Sequence, residues 1–398
     1  MTLSPLSNDD IGARIRLHRE RSGRTQAVIA GLAGISTDYL GQVERGRKTP
    51  SAGVLRSLAS VLGVPVGILL GDSPAEVPKS VSTSGDRLAF ALMSGRGSVV
   101  DLGELSDRVQ HAWQIWLTSS HRYSELLPVL PELIGDTEAT LRGLRRAPQR
   151  RQVAVIATDL YGLLRTVTRR VGRTDLSNLV ADRGLRAAED ADDPIRVAIA
   201  RWNLGHTLLM SNEYEAAVEL AVVAAEEVVA ESGTSAASIA LAGALNLVAT
   251  VAEARAGRHW AARNRLNTVC PLAVHAKDAG NVGHTMFSRF NVGLHSVSIE
   301  LEAGDSTEAL RIADQLDASE CLSVERHFTL ALDLARAYEL RREETGTLLH
   351  LLNAERVAPE DLDRNVGAQE MVRRLLHSTR SANRAQAVVL AQRLGIDT

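Results

Sequence analysis

Two groups of side chains in this 398-residue sequence have the types and spacing for recognition chemistry. The first lies between residues 26 and 48: the amides of Gln26 and Gln42, the hydroxyls of Ser36 and Thr37, the carboxylate of Asp38, the phenol of Tyr39, and the cations Arg45, Arg47 and Lys48. Gln can pair bidentately with adenine and Asp can accept from cytosine, whereas Arg and Lys neutralise phosphates without reading sequence. The second group is Asn203, Asn246 and Asn291, spaced 43 and 45 residues apart within Arg-Trp-Asn-Leu-Gly, Ala-Leu-Asn-Leu-Val and Arg-Phe-Asn-Val-Gly. An amide is both donor and acceptor, so a ladder of them can satisfy the backbone of an extended peptide without demanding particular side chains.

Catalytic chemistry lacks its parts. There is no Gly-rich phosphate loop, no Gly-x-Ser-x-Gly and no His-Glu or Cys cluster at catalytic spacing, so neither an enzyme nor a cofactor is expected. His284 and His295 read as isolated structural residues. Cys270 and Cys321 stand far apart with no ligand-spaced partners, which argues against a disulfide framework and a zinc site and for two buried free thiols.

The elements that must position the first group are short amphipathic helices over residues 10 to 70, separated by turn signals at Ser22-Gly23, Gly34, Gly46 and Thr49-Pro50. Thr25 can cap a helix that turns Ile29 and Ala30 inward; Gly34 then supplies a left-handed turn residue and Ile35 plugs the core. Ser36 can cap the next helix, in which Leu40 and Val43 face inward while Thr37, Asp38, Gly41 and Gln42 point outward, and Gly46 ends it. Residues 11 to 71 hold nine Lys or Arg against three Asp or Glu, so +6 sits here and −9 in the remainder of a chain whose net charge is −3.

With Thr25-Gln26, Ala30, Gly34-Ile35-Ser36, Tyr39-Leu40, Val43-Glu44-Arg45-Gly46, Pro50-Ser51 and Leu55-Leu58-Ala59, this segment resembles the XRE (lambda-repressor-like) helix-turn-helix family. The resemblance implies a five-helix domain over residues 8–71 in which Gln26 braces a phosphate, Ser36 begins the recognition helix, Thr37, Asp38 and Gln42 reach base edges, and Tyr39, Arg45, Arg47 and Lys48 grip the backbone. Glu44 is read as structural. The arginines at 14, 16, 19, 21 and 24 read either as phosphate contacts or as a solvated helix face. A single motif of this kind has a small interface, so a homodimer on a palindromic operator is expected.

Residues 72–86 are rich in Pro, Ser and Gly without apolar periodicity and read as a linker. Beyond them, over 87–398, long Ala-, Leu- and Val-rich helical patterns without alternating β-branched runs make the fold class all-α. The recurrence near 44 residues marks a solenoid of helical hairpins. Leu204, Gly205, Leu208, Ala217, Ala221 and Ala224 resemble a tetratricopeptide unit, with Trp260 standing at the small-residue position of a later one. That resemblance places Asn203, and Asn246 and Asn291 with it, on first helices facing one concave effector-binding groove. Residues 109 to 135, with two Trp, two His and a Tyr, read as a helix packed on the first hairpin or as a binding wall.

The combination is similar to the RRNPP group of peptide-responsive quorum-sensing regulators. It implies a DNA-binding transcriptional regulator gated by an effector, a peptide first and a small molecule second; the alternative is a DNA-bound scaffold whose repeats recruit a protein. The Arg-for-Lys bias, with Lys only at 48, 79 and 277, looks actinobacterial. Without a basic, apolar N-terminal leader or a run of about 18 apolar residues, a cytoplasmic chain with no membrane partner is expected. Operator, sign of regulation and effector identity are not legible in the residues.

Overall fold

The computed structural model describes residues 8–62, 69, 79–144, 146–276, 279–378 and 381–396. It divides into two compact units, residues 1–82 and 83–398. All regular structure among the described residues is helical.

The first unit contains α1 (Asn8–Arg21), α2 (Gln26–Ala33), α3 (Thr37–Glu44) and α4 (Ala52–Leu62). The fifth helix implied by the resemblance falls, apart from the buried Leu69, outside the described residues. Local signals act as the sequence suggests. Thr25 Oγ1 accepts the Val28 N–H at 3.4 Å, and Ser36 Oγ accepts the Tyr39 N–H at 3.1 Å. Between the two helices Gly34 takes φ 70° and donates its N–H to Ala30 and Gly31, a conformation that costs a residue with Cβ more than it costs glycine. Ile11, Ile15, Ile29, Ala30, Leu40, Val43, Leu55 and Leu58 form the core, and α1 lies so close to α3 that a methyl on Gly12 would sit 2.1 Å from the Val43 carbonyl oxygen.

Helix α5 (Lys79–Ser94) spans the division between the units at residue 82 and occupies residues 79–86 of the expected linker; residues 72–78 lie outside the described part. The apolar stripe Leu88, Ala91 and Leu92 anchors this helix, and its polar start extends from that anchor although it has no packing pattern of its own. Then come α6 (Leu102–Thr118), α7 (Arg122–Leu126), α8 (Leu130–Gly143), α9 (Ala147–Arg170), α10 (Thr174–Ala191), α11 (Pro194–Met210), α12 (Tyr214–Ser232), α13 (Ala236–Arg255) and α14 (His259–His275). After a 3-10 turn at Val282–His284 follow α15 (Arg289–Glu302), α16 (Ser306–Ala313), α17 (Val324–Leu340), α18 (Glu344–Val357), α19 (Pro359–Arg364), α20 (Val366–Ser378) and α21 (Ser381–Arg393).

From α9 to α18 these helices pair as successive hairpins, and the first helices of neighbouring hairpins, α9, α11, α13, α15 and α17, also pack on one another. This is the expected solenoid. Small residues allow the close approach: Ala217, Ala221 and Ala224 are fully buried, and a methyl on Gly205 of α11 would lie 2.9 Å from Val248 of α13. Trp260, by contrast, is 78% exposed, so it fills no small-residue seat. Helix α13 is long and apolar enough, by composition alone, to cross a membrane, contrary to the reading that no such run exists; it is the buried centre of the array's main core.

The stretch 109 to 135 buries one face in the array, and Trp113 and Trp116 on that face also border an interior space. Trp113, Trp116 and Tyr123 are buried, and Trp113 Nε1 donates to the Asp159 carbonyl at 2.9 Å. The two ends of the array meet here: Arg122, wholly buried, pairs with Asp361 of α19, and the Tyr123 N–H donates to Glu360 at 2.8 Å. Of the two thiols only Cys321 is buried; Cys270 is exposed on α14.

Candidate nucleic-acid interface and the cavity of the helical array

In the first unit, the turn at Gly34 and the Ser36 cap set α3 so that Leu40 and Val43 are buried while Thr37 and Asp38 are exposed. Gln42 lies one turn after Asp38 and donates Nε2–H to its Oδ2 at 2.7 Å, so the two base-reading candidates form a joined pair. Gly41 departs from the expected outward position. It is buried, and Arg45 folds back over it, with the site of a Gly41 methyl only 3.2 Å from Nη1. Arg45, Arg47 and Lys48 are exposed just beyond the helix, and the Lys48 ammonium sits over the half-buried Tyr39 ring at 5.4 Å. Ser36 is used as the cap and keeps its hydroxyl proton and one lone pair for a ligand.

Gln26 is braced by Glu44 and keeps its second amide N–H for a ligand. Its Nε2 donates to Glu44 Oε2 at 2.6 Å, and Arg19 grips the same carboxylate through Nε at 2.7 Å and Nη2 at 3.0 Å. Glu44, 7% exposed, thereby ties α1, α2 and α3 together, and the pairing raises the Arg19 pKa, first through that hydrogen bond. The remaining N-terminal arginines are largely engaged as well: Arg16 pairs with Glu20 at 2.8 Å and Arg24 donates to the Val61 carbonyl at 3.2 Å. The Arg21 side chain lies outside the described residues. Arg14 Nη1 is buried without a partner, and the exposed cations Arg45, Arg47 and Lys48 sit beside the exposed face of α3, with Arg56 exposed on α4.

In the second unit, the expected asparagine ladder is not assembled. Asn203 is 4% exposed; its Nδ2 donates to the Ile199 carbonyl at 3.0 Å and its Oδ1 accepts Arg165 Nε at 2.8 Å. Asn246 bonds Ala242 and Arg265, and lines a different depression between α12, α13 and α14. The three do not hold equivalent places: Asn203 and Asn246 lie in the middle of α11 and α13, whereas Asn291 lies in the first turn of α15. Asn291 alone reaches the interior cavity. It is 2% exposed, its Oδ1 is buried without a partner, and its side chain makes no hydrogen bond among the described residues.

That cavity, of about 200 Å³, is walled by all five first helices of the hairpins, α9, α11, α13, α15 and α17. A neighbouring space of about 60 Å³ shares with it Arg169, Trp202, His206, Glu325 and Arg326. Five guanidiniums, those of Arg165, Arg169, Arg170, Arg255 and Arg326, line the two spaces against one carboxylate, Glu325. Glu325 pairs with Arg170, which, despite the opposing effect of burial, drives its carboxyl far below the usual range. Burial, and then the neighbouring cations, lower Arg165 to about 9 and Arg169 to about 10, and His295 to about 3. The arginines are therefore charged and His295 neutral near pH 7.

None of these arginines stands out in the sequence, where Arg is abundant. The available signal was Arg165, Arg169 and Arg170 on one helix whose other faces are Val, Ala and Leu, positions where a charge has to face either a partner or a cavity. Among the described residues no group of His, Cys, Asp and Glu could hold a metal ion.

The sequence of residues 10–67 matches a family described as helix-turn-helix domain. The transcriptional regulator ClgR of Mycobacterium tuberculosis is 31% identical over 101 residues, a match covering 25% of this chain and 86% of that protein. The HTH-type transcriptional regulator DdrOP3 of Deinococcus deserti is 36% identical over 100 residues, covering 25% of this chain and 71% of its own length. Among solved structures, Bacillus thuringiensis PlcR in complex with the peptide PapR7 and DNA is similar at 12% identity and a TM-score of 0.29, over 70% of this chain and 99% of that one. ComR from S. thermophilus in complex with DNA and its signalling peptide ComS is similar at 12% identity and a TM-score of 0.30, over 86% and 99%. With the capped pair α2 and α3, and with two relatives matched over most of their own length, the chain belongs to the XRE-type, lambda-repressor-like helix-turn-helix family of DNA-binding transcriptional regulators.

Proposed function

We propose that this regulator binds a specific operator through α3 and that a ligand seated in the cavity of the helical array sets its affinity for that operator. The observation that carries the reading is that one cavity touches all five first helices. A ligand that binds two spacings of those helices unequally shifts their populations, and by linkage shifts operator affinity by the same free energy. A small molecule is favoured over the extended peptide that the asparagine spacing suggested, because Asn203, Asn246 and Asn291 do not line one groove. Two copies of α3 on a palindromic site would supply the interface that one lacks. An alternative scaffold role, in which the array recruits a protein, uses the outer surfaces and leaves this cavity idle.

On the DNA side Thr37, Asp38 and Gln42 read base edges, and Gln26, Tyr39, Arg45, Arg47 and Lys48 hold the backbone. The test begins with an operator selected from random duplexes by the purified full chain. Gln42→Ala should cost about 1 to 3 kcal/mol on that operator and almost nothing on unrelated DNA. Arg47→Ala should weaken all duplexes alike and reduce the salt slope by about 1. Equal losses on both kinds of DNA from both variants would refute the division of roles. Operator affinity unaltered by any fraction of a small-molecule extract, with a protein co-purifying instead, would favour the scaffold.

A further inference from the structure

The charge around the cavity is unbalanced in a way the fold itself does not explain. Arg170 has Glu325, with Asp361 a further 3.9 Å contact, and Asp361 is already held by Arg122. Arg165 has the Asn203 amide and lies over the Trp202 ring at 5.1 Å. Arg169, Arg255 and Arg326 make no ion pair and no side-chain hydrogen bond among the described residues, yet all three face the same 200 Å³ space. Asp333 stands behind the wall residue Ser298 and accepts its hydroxyl at 2.5 Å. His206 and His295 complete the wall, and burial, with the arginines adding to it, holds both imidazoles toward the neutral form.

Arg169 and Arg326 are half-buried and Arg255 is exposed, so water meets part of their charge, yet like charges gathered around one space repel one another and draw anions to it. A wall that retains three such cations beside an unsatisfied Asn291 amide is organised for something that arrives. Guanidinium forks match carboxylate and phosphate oxygens bidentately. The flat face of Trp202 and the apolar side chains Leu247, Val248 and Val251 border the same space, so part of the occupant is uncharged.

We infer that the cavity binds a small multivalent anion, bearing two or more carboxylate or phosphate groups, which Arg169, Arg255 and Arg326 grip while Asn291 hydrogen-bonds a polar group on its uncharged part. This deepens the reading of the array as an effector site and rests on it for its regulatory meaning, but binding itself can be tested without DNA.

The test is calorimetry and thermal melting of the full chain with citrate as the carboxylate probe, pyrophosphate as the phosphate probe and sodium chloride at matched ionic strength. Saturable binding of at least one probe is expected, at one site per chain, with a rise in melting temperature that chloride does not reproduce; the probe that binds identifies the anionic group. Arg169→Gln and Arg326→Gln should each weaken it at least tenfold. Because both remove an unpaired cation, neither should lower the melting temperature of the ligand-free chain. Arg311→Gln, on the exposed pair with Glu308, should leave binding unchanged. Absence of saturable binding by both probes, or binding that survives the Arg169→Gln/Arg326→Gln double variant, overturns the inference. Anion binding that leaves operator affinity unaltered would uphold it and refute the gating proposed above.

Discussion

Glu44→Ala is the perturbation that tests most directly how the DNA-binding unit is held together. The Glu44 side chain is 2% exposed and that of Arg19 12%, and the carboxylate accepts three hydrogen bonds, at 2.7 and 3.0 Å from Arg19 and at 2.6 Å from Gln26. Hydrogen bonds to charged groups are worth about 1.5 to 3 kcal/mol each, but their simple sum overstates the loss, since the freed Arg19 can turn to Glu20, already 3.5 Å away. The expected cost is therefore nearer the lower end for breaking a buried pair, about 3 kcal/mol. Glu44→Gln keeps the shape and one acceptor and should cost about 1 to 2 kcal/mol. Amide hydrogen exchange of α1 and α3 in the full chain is the assay. A loss of about 3 kcal/mol lowers protection by roughly two decades at 1.36 kcal/mol per decade. Arg19→Ala combined with Glu44→Ala should cost clearly less than the two single variants added together. Unchanged exchange in Glu44→Ala, or strict additivity in the double variant, would refute the argument that this carboxylate is the tie between the three helices.

Gly12→Ala places a methyl 2.1 Å from the Val43 carbonyl oxygen, so α1 has to lift from α3; an overpacking cost of about 1 to 3 kcal/mol or more is expected in the same exchange measurement, and parental protection would show that α1 is not packed this closely. In the array, burial raises Asp333 from 3.8 to about 6, against the Ser298 hydrogen bond. An acid whose folded pKa is raised contributes stability that is full below about 3.8 and lost as pH rises through about 6, so Asp333→Asn should gain on the parent by up to about 3 kcal/mol above pH 6 and by little near pH 4. Tryptophan fluorescence during urea unfolding reads this unit alone, since all four Trp, at 113, 116, 202 and 260, lie in it; identical pH slopes in parent and variant would sink the assignment.

Much of the DNA-binding unit is legible in the residues because its signals are local. Caps at Thr25 and Ser36, the left-handed Gly34 and the inward pair Leu40 and Val43 each act within a turn or two of where they stand. The solenoid was readable for a similar reason, since stacked hairpins repeat their small and apolar residues at a regular interval. What the residues did not reveal were contacts that run across elements. Gln26 is braced by Glu44, 18 residues away, a partnership no local signal announces. Helix α5 begins inside a stretch whose composition signals only a linker, because the packing of Leu88, Ala91 and Leu92 supports it from the far end.

The asparagines and arginines of the array mark the division most clearly. Composition and spacing determined that the chain is helical, that its N-terminal segment is an XRE-type motif, and that the remainder is built of hairpins. They could not determine which polar side chains face a common space, because that depends on the rotation of each helix about its own axis, fixed only when neighbouring hairpins pack. Packing gave the Asn203 amide to Arg165 and Asn246 to another face, left Asn291 unsatisfied, and brought Arg169, Arg255 and Arg326, separated by up to 157 residues of sequence, to one cavity.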